Sequence, residues 1–321
     1  MVPDPAASGL TIVVLTHNRR RALGNCLESL FAQEDPGTPL HFIVVDDGST
    51  DGTGEMVRAL TASRPQWRCI SQAHRGIAAA RNTGIRSSRS AWIAIVADDY
   101  ILPANYARTI TGFFNEHPQA EVLRFRVVPA GKGFLNLALH AYREAGVSRR
   151  VRSRNDESLT IHHTLEAAGA AAFRKRVFQR VGDFDESFVR GEDTEFTVRL
   201  RHAGIAVHLL PQLPISHFHE SNLGAALKNA FRGGRASWRL HVAPNQEPPG
   251  ILALVQLALH SGLAAFYWAC WRAGKAGGPV RSITYWPVLF LLETSARAGF
   301  FSAGVQSRKK TQAASLGPTP R

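Results

Sequence analysis

Cysteine is scarce in this chain of 321 residues, which contains only Cys26, Cys69 and Cys270. Their wide separation excludes the closely spaced pairs that form zinc sites, and the low count excludes a fold held together by several disulfides. The sequence therefore favours reduced, structural cysteines and a protein exposed to the cytosol.

Acidic residues are also few, and the shortage is greatest towards the C-terminus. Residues 221–321 contain twelve Lys and Arg but only two Asp and Glu, and they account for most of the net charge of +13. A basic region can contact nucleic acid or an anionic membrane surface. The same residues contain long apolar runs, and the chain has no zinc-finger spacing, RNP-like motif or clear helix-turn-helix signature. We therefore expect a membrane surface, and no nucleic acid, as a partner.

Glycine is missing from the turn after the first predicted strand, Leu10–Leu15, where the chain reads THNRR. A Rossmann dinucleotide-binding domain and a sugar-phosphate nucleotidylyltransferase both need a glycine-rich loop there, so both classes are disfavoured. Further strands are predicted at His41–Val45, near Trp67–Ser71 and at Ile93–Ala97, with helices between them. This alternation predicts an α/β fold with a mostly parallel sheet and right-handed crossovers.

Two of these predicted strands end in paired acids, Asp46 with Asp47 and Asp98 with Asp99. Ligands of parallel α/β sheets bind outside the carboxyl ends of the strands. Adjacent carboxylates repel each other and lose hydration there unless a cation or hydrogen-bond donors compensate. Oxygen ligands suit Mg²⁺ or Mn²⁺. The alternative is a strand followed by a solvated acidic turn, and this pattern alone leaves both open.

Four blocks, taken in order, resemble the nucleotide-sugar half of a family 2 glycosyltransferase with the GT-A fold. They are TIVVLTHN at 11–18, VVDDGSTDGT at 44–53, GIAAARNTGI at 76–85 and ADD at 97–99. No single block is decisive, but four in the right order at the right spacing are highly specific. The resemblance implies a Rossmann-like, mostly parallel sheet flanked by helices, and a nucleotide-sugar donor.

The resemblance also assigns roles to residues in these blocks. Asp47 matches the acid that holds the nucleotide base, and Thr16 lines the same pocket. Asp98 matches the acid near the ribose, and Asp99 matches the ligand of the metal that bridges the diphosphate.

Two further positions in the blocks are less clear. Arg81 lies in the segment that meets the diphosphate in the family, and its alternative is an arginine on a solvated helix face. The family pattern often has a further acid where this chain has Ala97, which bears on how strongly the site binds a metal.

Residues 173–188 and 191–204 resemble the acceptor half of the same family. Glu192 and Asp193 begin a predicted helix there, and acids at a helix N-terminus are also stabilised simply by the helix dipole. By resemblance, Asp193 matches the general base that deprotonates the acceptor hydroxyl, and Glu192 beside it is a second candidate catalytic residue.

Two histidines, His217 and His219, follow on one face of a predicted strand. The family has a C-terminal histidine that closes over the metal or the diphosphate. We assign this role to His219 and keep His217 as its rival.

Three stretches lie outside the motif blocks. Residues 130–160 are basic and polar, which predicts a solvated loop or, alternatively, a lid over an anionic ligand. Pro248–Trp271 lacks charged residues over a length that can span a bilayer, with tryptophans at its end. Ile283–Gly304 is interrupted by Pro287 and charged residues and predicts an amphipathic helix at the membrane interface. The alternative for both apolar stretches is a pair of helices packed on the catalytic domain.

These observations predict a GT-A catalytic domain over residues 8–222, with a nucleotide-sugar half at about 10–125 and an acceptor half at 126–222. A helical, membrane-associating region is expected at 223–306 and a disordered tail at 307–321.

The resemblance implies transfer of a sugar from a nucleotide-diphosphate sugar to an acceptor hydroxyl, with inversion and with Mg²⁺ or Mn²⁺. The acceptor would be a glycan or a lipid-linked molecule of the cell envelope, and the protein would act at the cytoplasmic face of the membrane. The alternative is a catalytically impaired sugar-nucleotide-binding or scaffold protein, which Ala97 supports.

Overall fold

The computed structural model describes residues 9–148, 160–162, 169–218, 222–241 and 279–315. The strands are β1 (Leu10–Thr16), β2 (Leu40–Asp46), β3 (Trp67–Ser71), β4 (Trp92–Ala97), β5 (Tyr100–Ile101), β6 (Val122–Pro129), β7 (Thr160–His162), β8 (Ala170–Arg174) and β9 (Val207–His217). The helices are α1 (Arg20–Phe31), α2 (Thr53–Thr61), α3 (Ile77–Ser87), α4 (Tyr106–Glu116), α5 (Phe134–Ser148), α6 (Arg176–Val181), α7 (Glu192–His202), α8 (Leu223–His241) and α9 (Pro279–Ser315).

The chain divides into two compact units. The first consists of Met1–Ala130 with Arg150–Phe218, and the second of Gly131–Arg149 with His219–Arg321. The sequence placed a single boundary near residue 222, whereas Gly131–Arg149 groups with the C-terminal helices.

The described strands form one nine-stranded sheet in the first unit. Its parallel part has the order β3-β2-β1-β4, with β1 between its two parallel neighbours. All seven residues of β1 are buried, as is typical of a parallel strand covered on both faces. β8 then runs antiparallel between β4 and β6, and β9 pairs in parallel with β6. The predicted mostly parallel arrangement thus holds for the half that carries the four motif blocks.

Alternating side chains of β1 fill a hydrophobic core on each face of the sheet. Leu10, Ile12 and Val14 pack on the face covered by α1, whose apolar residues recur at helical spacing. Val13 and Leu15 pack on the opposite face, which α3 and α7 cover. These crossovers leave the carboxyl ends of β1, β2 and β4 at one edge, where the polar residues of the motif blocks follow.

The described part of the second unit consists mainly of helices. α5, α8 and α9 share a core that includes Leu139, Ala226 and Leu289. The prediction of a loop over 130–160 is therefore wrong for α5, because its apolar residues pack into this core while the basic residues that suggested a loop begin only at Arg149.

α9 is a single long helix that contains Pro287 and continues to Ser315, past residue 307 where the sequence predicted disorder. Among the described residues, Thr284–Ser307 is the one segment long and apolar enough to cross a membrane by length and composition. Pro248–Trp271, the other predicted membrane segment, lies outside the described residues.

The close approach of α3 to β1 depends on Gly84. A Cβ atom at this position would lie 2.2 Å from Cγ1 of Val13, which is far inside van der Waals contact. We predict that Gly84→Ala lowers the free energy of unfolding by about 1–3 kcal/mol, because the helix and strand must move apart. Urea or thermal unfolding measures this change.

The matched control is Gly112→Ala, in the interior of α4, where a Cβ would meet nothing within 4 Å. That substitution should leave the stability unchanged or raise it by about 0.5–1 kcal/mol. Equal effects of the two substitutions would contradict the proposed packing constraint.

Candidate active site

The predicted site residues of the nucleotide-sugar half meet at the carboxyl edge of the parallel strands. Thr16 ends β1 and pairs in register with Asp46 at the end of β2. Leu15 pairs with Ala97 at the end of β4, so Asp98 and Asp99 emerge beside Thr16. Residues from blocks that are far apart in the sequence therefore form one cluster in space.

Asp47 is buried and accepts several hydrogen bonds from the segment before α3. The backbone N–H groups of Arg75 and Gly76 donate to it at 3.0 and 2.8 Å, and the Gln72 amide donates at 2.7 Å. His74 Nδ1 lies 2.8 Å from the same carboxylate. Burial alone would raise the pKa of Asp47, but the hydrogen bonds from Arg75, Gln72 and Gly76, with the charge of His74, hold it below its ordinary value. Asp47 is therefore ionised at neutral pH.

Two histidines stack beside Asp47. The rings of His17 and His74 lie 4.0 Å apart at an interplanar angle of 20°, and each Nδ1 donates to the backbone carbonyl of Asp47. Asn18, the one non-glycine residue with positive φ among those described, accepts a hydrogen bond from the backbone N–H of Thr50 at 2.7 Å. These contacts fix the loop after β1 against the loop after β2.

Asp98 and Asp99 share one cation, Arg19, which directly follows this loop. Its Nη1 donates to Asp98 Oδ1 at 2.9 Å and to Asp99 Oδ2 at 2.8 Å. Thr16 Oγ1 donates to the other oxygen of Asp98 at 2.8 Å, and Nε2 of the buried His217 lies 3.3 Å from Asp99 Oδ2. The acid pair is thus a compensated cluster and not a solvated turn.

These contacts affect the two acids in opposite ways. Burial raises the pKa of Asp98 to about 6, although Arg19 opposes the change. Burial would also raise the pKa of Asp99, but the hydrogen bond and charge of His217, together with Arg19, hold it well below its ordinary value. Of the two acids, Asp99 is therefore the one that stays ionised at lower pH.

The residues at this cluster fit a hard divalent cation. Asp99 Oδ1 is buried and has no hydrogen-bond partner, so it has a lone pair to offer. Within the described part of the chain, no group of three or more His, Cys, Asp and Glu could hold a metal. A cation at Asp99 would therefore take its other ligands from phosphate oxygens and water, as Mg²⁺ commonly does. His219, the predicted histidine ligand, lies outside the described residues, whereas its rival His217 contacts Asp99.

The two acids of the second block occupy different surroundings. Glu192 is buried and forms an ion pair with Arg81, which is itself 2 % exposed and lies over the Phe184 ring. Asp193 is half-buried in the first turn of α7, where its Oδ1 accepts the N–H of Thr194 at 2.7 Å. Of the two acids, Asp193 therefore retains the greater access to a ligand.

Arg81, for which the resemblance predicts a contact with the diphosphate, is buried in the structure. Its guanidinium is enclosed by Glu192 and Phe184, and its partner lies 111 residues away in the sequence. Next to it, Asn82 exchanges two hydrogen bonds of 2.9 Å with the backbone of Phe184. α3 thus holds the segment that leads into α7, the helix carrying Asp193.

Sequence reasoning missed Arg19, His17 and His74 as members of the site. The signal for Arg19 was present, because a basic residue just after β1 lies at the same edge as acids that follow β4. The same signal was present for His17, which follows Thr16 directly, whereas His74 had none, since it reaches Asp47 from a loop of irregular conformation.

Buried acids at the carboxyl ends of parallel strands lie at the edge where α/β sheets bind their ligands. The model of glycosyl transferase family 2 matches residues 11–182, more than half of this chain. The chain belongs to glycosyltransferase family 2, which confirms the resemblance predicted from the motif blocks.

Curated relatives are similar over different lengths. The pre-mycofactocin glycosyltransferase of Mycobacterium tuberculosis is 25% identical over 288 residues, which cover 87% of this chain and 56% of that protein. The chain therefore matches only about half the length of this relative. The O-antigen chain rhamnosyltransferase WbaN of Salmonella anatum is 27% identical over 213 residues, covering 65% of this chain and 66% of that protein.

Solved structures confirm the predicted fold class. The mannosyltransferase PcManGT from Pyrobaculum calidifontis, in complex with GDP-Man and Mn²⁺, has a TM-score of 0.57 at 18% identity and covers 97% of this chain and 90% of its own. Staphylococcus aureus TarS 1–349, in complex with UDP-GlcNAc, has a TM-score of 0.54 at 15% identity and covers 95% and 92%. At these identities the likeness concerns the fold alone.

The buried pair of Arg81 and Glu192 yields a stability prediction. Arg81→Met leaves a buried carboxylate without its cation, and Glu192→Gln leaves a buried guanidinium without its anion. We expect each substitution to lower the free energy of unfolding by about 3–5 kcal/mol. The double variant Arg81→Met/Glu192→Leu should lose less than the sum of these effects, because it removes both charges together. Denaturant unfolding measures all three values.

An exposed pair provides the control. Arg58 and Glu55 pair at 3.2 Å with side chains 54% and 76% exposed. Arg58→Met should change the stability by no more than about 1 kcal/mol. An equally small effect of Arg81→Met would show that the buried pair has no structural role.

The hydrogen bonds to Asp47 yield a pH prediction. Asp47→Asn should destabilise the protein by about 1–3 kcal/mol at neutral pH, because an amide cannot accept from all of these donors. A lowered pKa in the folded state stabilises the fold above the unfolded-state pKa, about 3.9, and this contribution is lost as the pH falls through the folded-state value. The difference between wild type and variant should therefore shrink below about pH 4. Unfolding measured from pH 7 to pH 3 tests this, and a constant difference would contradict it.

Proposed function

We propose that this protein transfers a sugar from a nucleoside-diphosphate sugar to an acceptor hydroxyl, with inversion at the anomeric carbon and with a divalent cation. The observation that carries the proposal is the convergence of Asp47, Asp98 and Asp99 at one sheet edge in a member of glycosyltransferase family 2. The Mn²⁺ and nucleotide sugars bound by PcManGT and TarS support a donor and a metal of these classes.

The donor would lie along the edge of the sheet. Asp47 and Thr16 would face the nucleoside, and Asp98 the ribose. Asp99 would hold the cation through its unpartnered Oδ1. Bound there, the cation would neutralise charge that develops on the departing diphosphate. The described side chains supply fixed hydrogen bonds around this edge, so little reorganisation would accompany the reaction.

Asp193 would act as the general base. Its partial exposure at the start of α7 is compatible with contact to an acceptor hydroxyl. Glu192 and Arg81 would be positioning residues, since their buried pair ties the start of α7 to α3. His217 would orient Asp99, to which it is already close. In this proposal Glu192 does not act as the base and Arg81 does not contact the diphosphate.

The acceptor would be a glycan or lipid-linked molecule of the cell envelope. The O-antigen rhamnosyltransferase among the relatives supports polysaccharide synthesis. Attachment at the cytoplasmic face of the membrane is supported by the segment Thr284–Ser307 and by the excess of basic residues after residue 220. No nucleic acid partner is proposed.

A second candidate is a sugar-nucleotide-binding scaffold that lacks catalysis. The observation that favours it is Ala97, where the family pattern often has a further acid. The acids at Asp98, Asp99 and Asp193 argue against it.

A thermal-shift screen of nucleoside-diphosphate sugars, with and without Mn²⁺ or Mg²⁺, tests the proposal. One donor should raise the melting temperature by several degrees at concentrations far above its Kd. The shift should require metal, persist in Asp193→Asn and disappear in Asp99→Asn. Turnover by Asp193→Asn should fall by about 100-fold or more, because a positioned general base contributes that much.

The outcomes separate the two candidates. Donor binding without transfer or donor hydrolysis by the wild type would support the scaffold. Full transfer activity in a folded Asp193→Asn variant would show that Asp193 is not the general base. The anomeric configuration of the product, read by NMR, tests inversion directly.

A further inference from the structure

The position of Arg19 between Asp98 and Asp99 has a consequence for metal binding. A single nitrogen, Nη1, lies within 3 Å of one oxygen on each carboxylate. Arg19 thus supplies, from within the chain, the positive charge that an adjacent pair of buried acids requires. A divalent cation bound at Asp99 Oδ1 would meet the repulsion of this guanidinium at short range.

The surroundings of Arg19 allow it to leave this position. Its side chain is 38% exposed, whereas those of Asp98 and Asp99 are only 4% and 14% exposed. The guanidinium therefore approaches the acids from the open side of the cluster. Arg19 stands at the N-cap position of α1 without a side-chain hydrogen bond to the helix, so its contacts with the acids can be exchanged without breaking a cap.

We propose that Arg19 is a resident cation of the acid pair, which opposes metal binding until a diphosphate arrives. The inference rests on the proposed function, because it takes Asp99 as a metal ligand. A diphosphate carries enough negative charge to hold both cations, and a guanidinium binds phosphate oxygens well. On donor binding, Arg19 moves from the carboxylates to the diphosphate, and the metal takes its place at Asp99. Metal and donor then bind as a coupled pair, and each is weak alone.

Binding of Mn²⁺ to the metal-free full-length protein, without any donor, tests this proposal. The free ion is counted by electron paramagnetic resonance, so the measurement does not depend on activity. Arg19→Gln keeps a hydrogen-bond donor but removes the charge, and it should bind Mn²⁺ about tenfold more tightly or better. Arg19→Lys, which keeps the charge, should resemble the wild type.

Arg20→Gln is the matched control. Arg20 is the next residue, it is exposed, and its backbone N–H bonds to Asp51 and not to the acid pair. Arg20→Gln removes the same charge one residue further along, at the start of α1, so it reports any general effect of net charge. Equal Mn²⁺ affinity in the Arg19→Gln and Arg20→Gln variants would overturn the proposal.

The coupling between nucleotide binding and Mn²⁺ binding provides a second measurement. UDP or GDP should raise the Mn²⁺ affinity of the wild type far more than that of Arg19→Gln, because the variant has no resident cation to displace. Equal enhancement in both proteins would overturn the proposed exchange while leaving the metal site intact. If no variant binds Mn²⁺, even with either nucleotide, the metal-dependent function itself fails.

Melting temperatures test the proposal even if the Arg19→Gln variant is less stable than the wild type. Without metal, its two acids lack their cation, and its melting temperature should be below that of Arg20→Gln. Mn²⁺ should then raise the melting temperature of Arg19→Gln more than that of the wild type. A variant that Mn²⁺ does not stabilise would overturn the proposal.

Discussion

Four carboxylates, those of Asp47, Asp98, Asp99 and Glu192, are largely enclosed in the first unit, where an uncompensated charge is expensive. Their partners come from three parts of the chain. Backbone N–H groups before α3 serve Asp47, the residue that precedes α1 serves the Asp98 pair, and α3 itself serves Glu192. The need to compensate these charges therefore holds the segments before α1 and α3 at the carboxyl edge of the sheet and ties the start of α7 to α3.

Helix α3 connects the two halves of the site through this same constraint. Backbone N–H groups just before α3 donate to Asp47. Within α3, Arg81 pairs with Glu192 at the start of α7, and Asn82 donates to the Phe184 carbonyl in the segment before α7. A shift of α3 would therefore disturb the surroundings of Asp47 and the start of α7 together. The absence of a side chain at Gly84 matters for the site as well as for the core, because it sets how closely α3 approaches β1.

Features that depend on a local sequence pattern could be predicted from the sequence. Contacts that are made by long side chains or by irregular loops could not. The parallel strands follow from short β-branched runs, and the alignment of their ends follows from the topology, so Asp47, Asp98 and Asp99 could be placed together. The partner of Arg81 lies 111 residues away, and helical spacing does not reveal it. The helix α5 was missed because basic residues after it outweighed the apolar spacing within it.

Ala97, the departure from the family pattern, can be explained by the packing of the sheet. A Cβ on Gly169 would lie 3.1 Å from the Ala97 Cβ, and the Ala97 N–H donates to the Gly169 carbonyl at 3.0 Å. The residue that precedes β8 therefore lies close against Ala97, where a larger side chain would crowd the backbone of Gly169. With no acid at this position, the unpartnered oxygen of Asp99 is the ligand that the described cluster can offer without breaking a contact. Under the proposed function, affinity for a cation would then depend on the phosphates of the donor, and Arg19 would be the charge that keeps such a sparse site stable between donors.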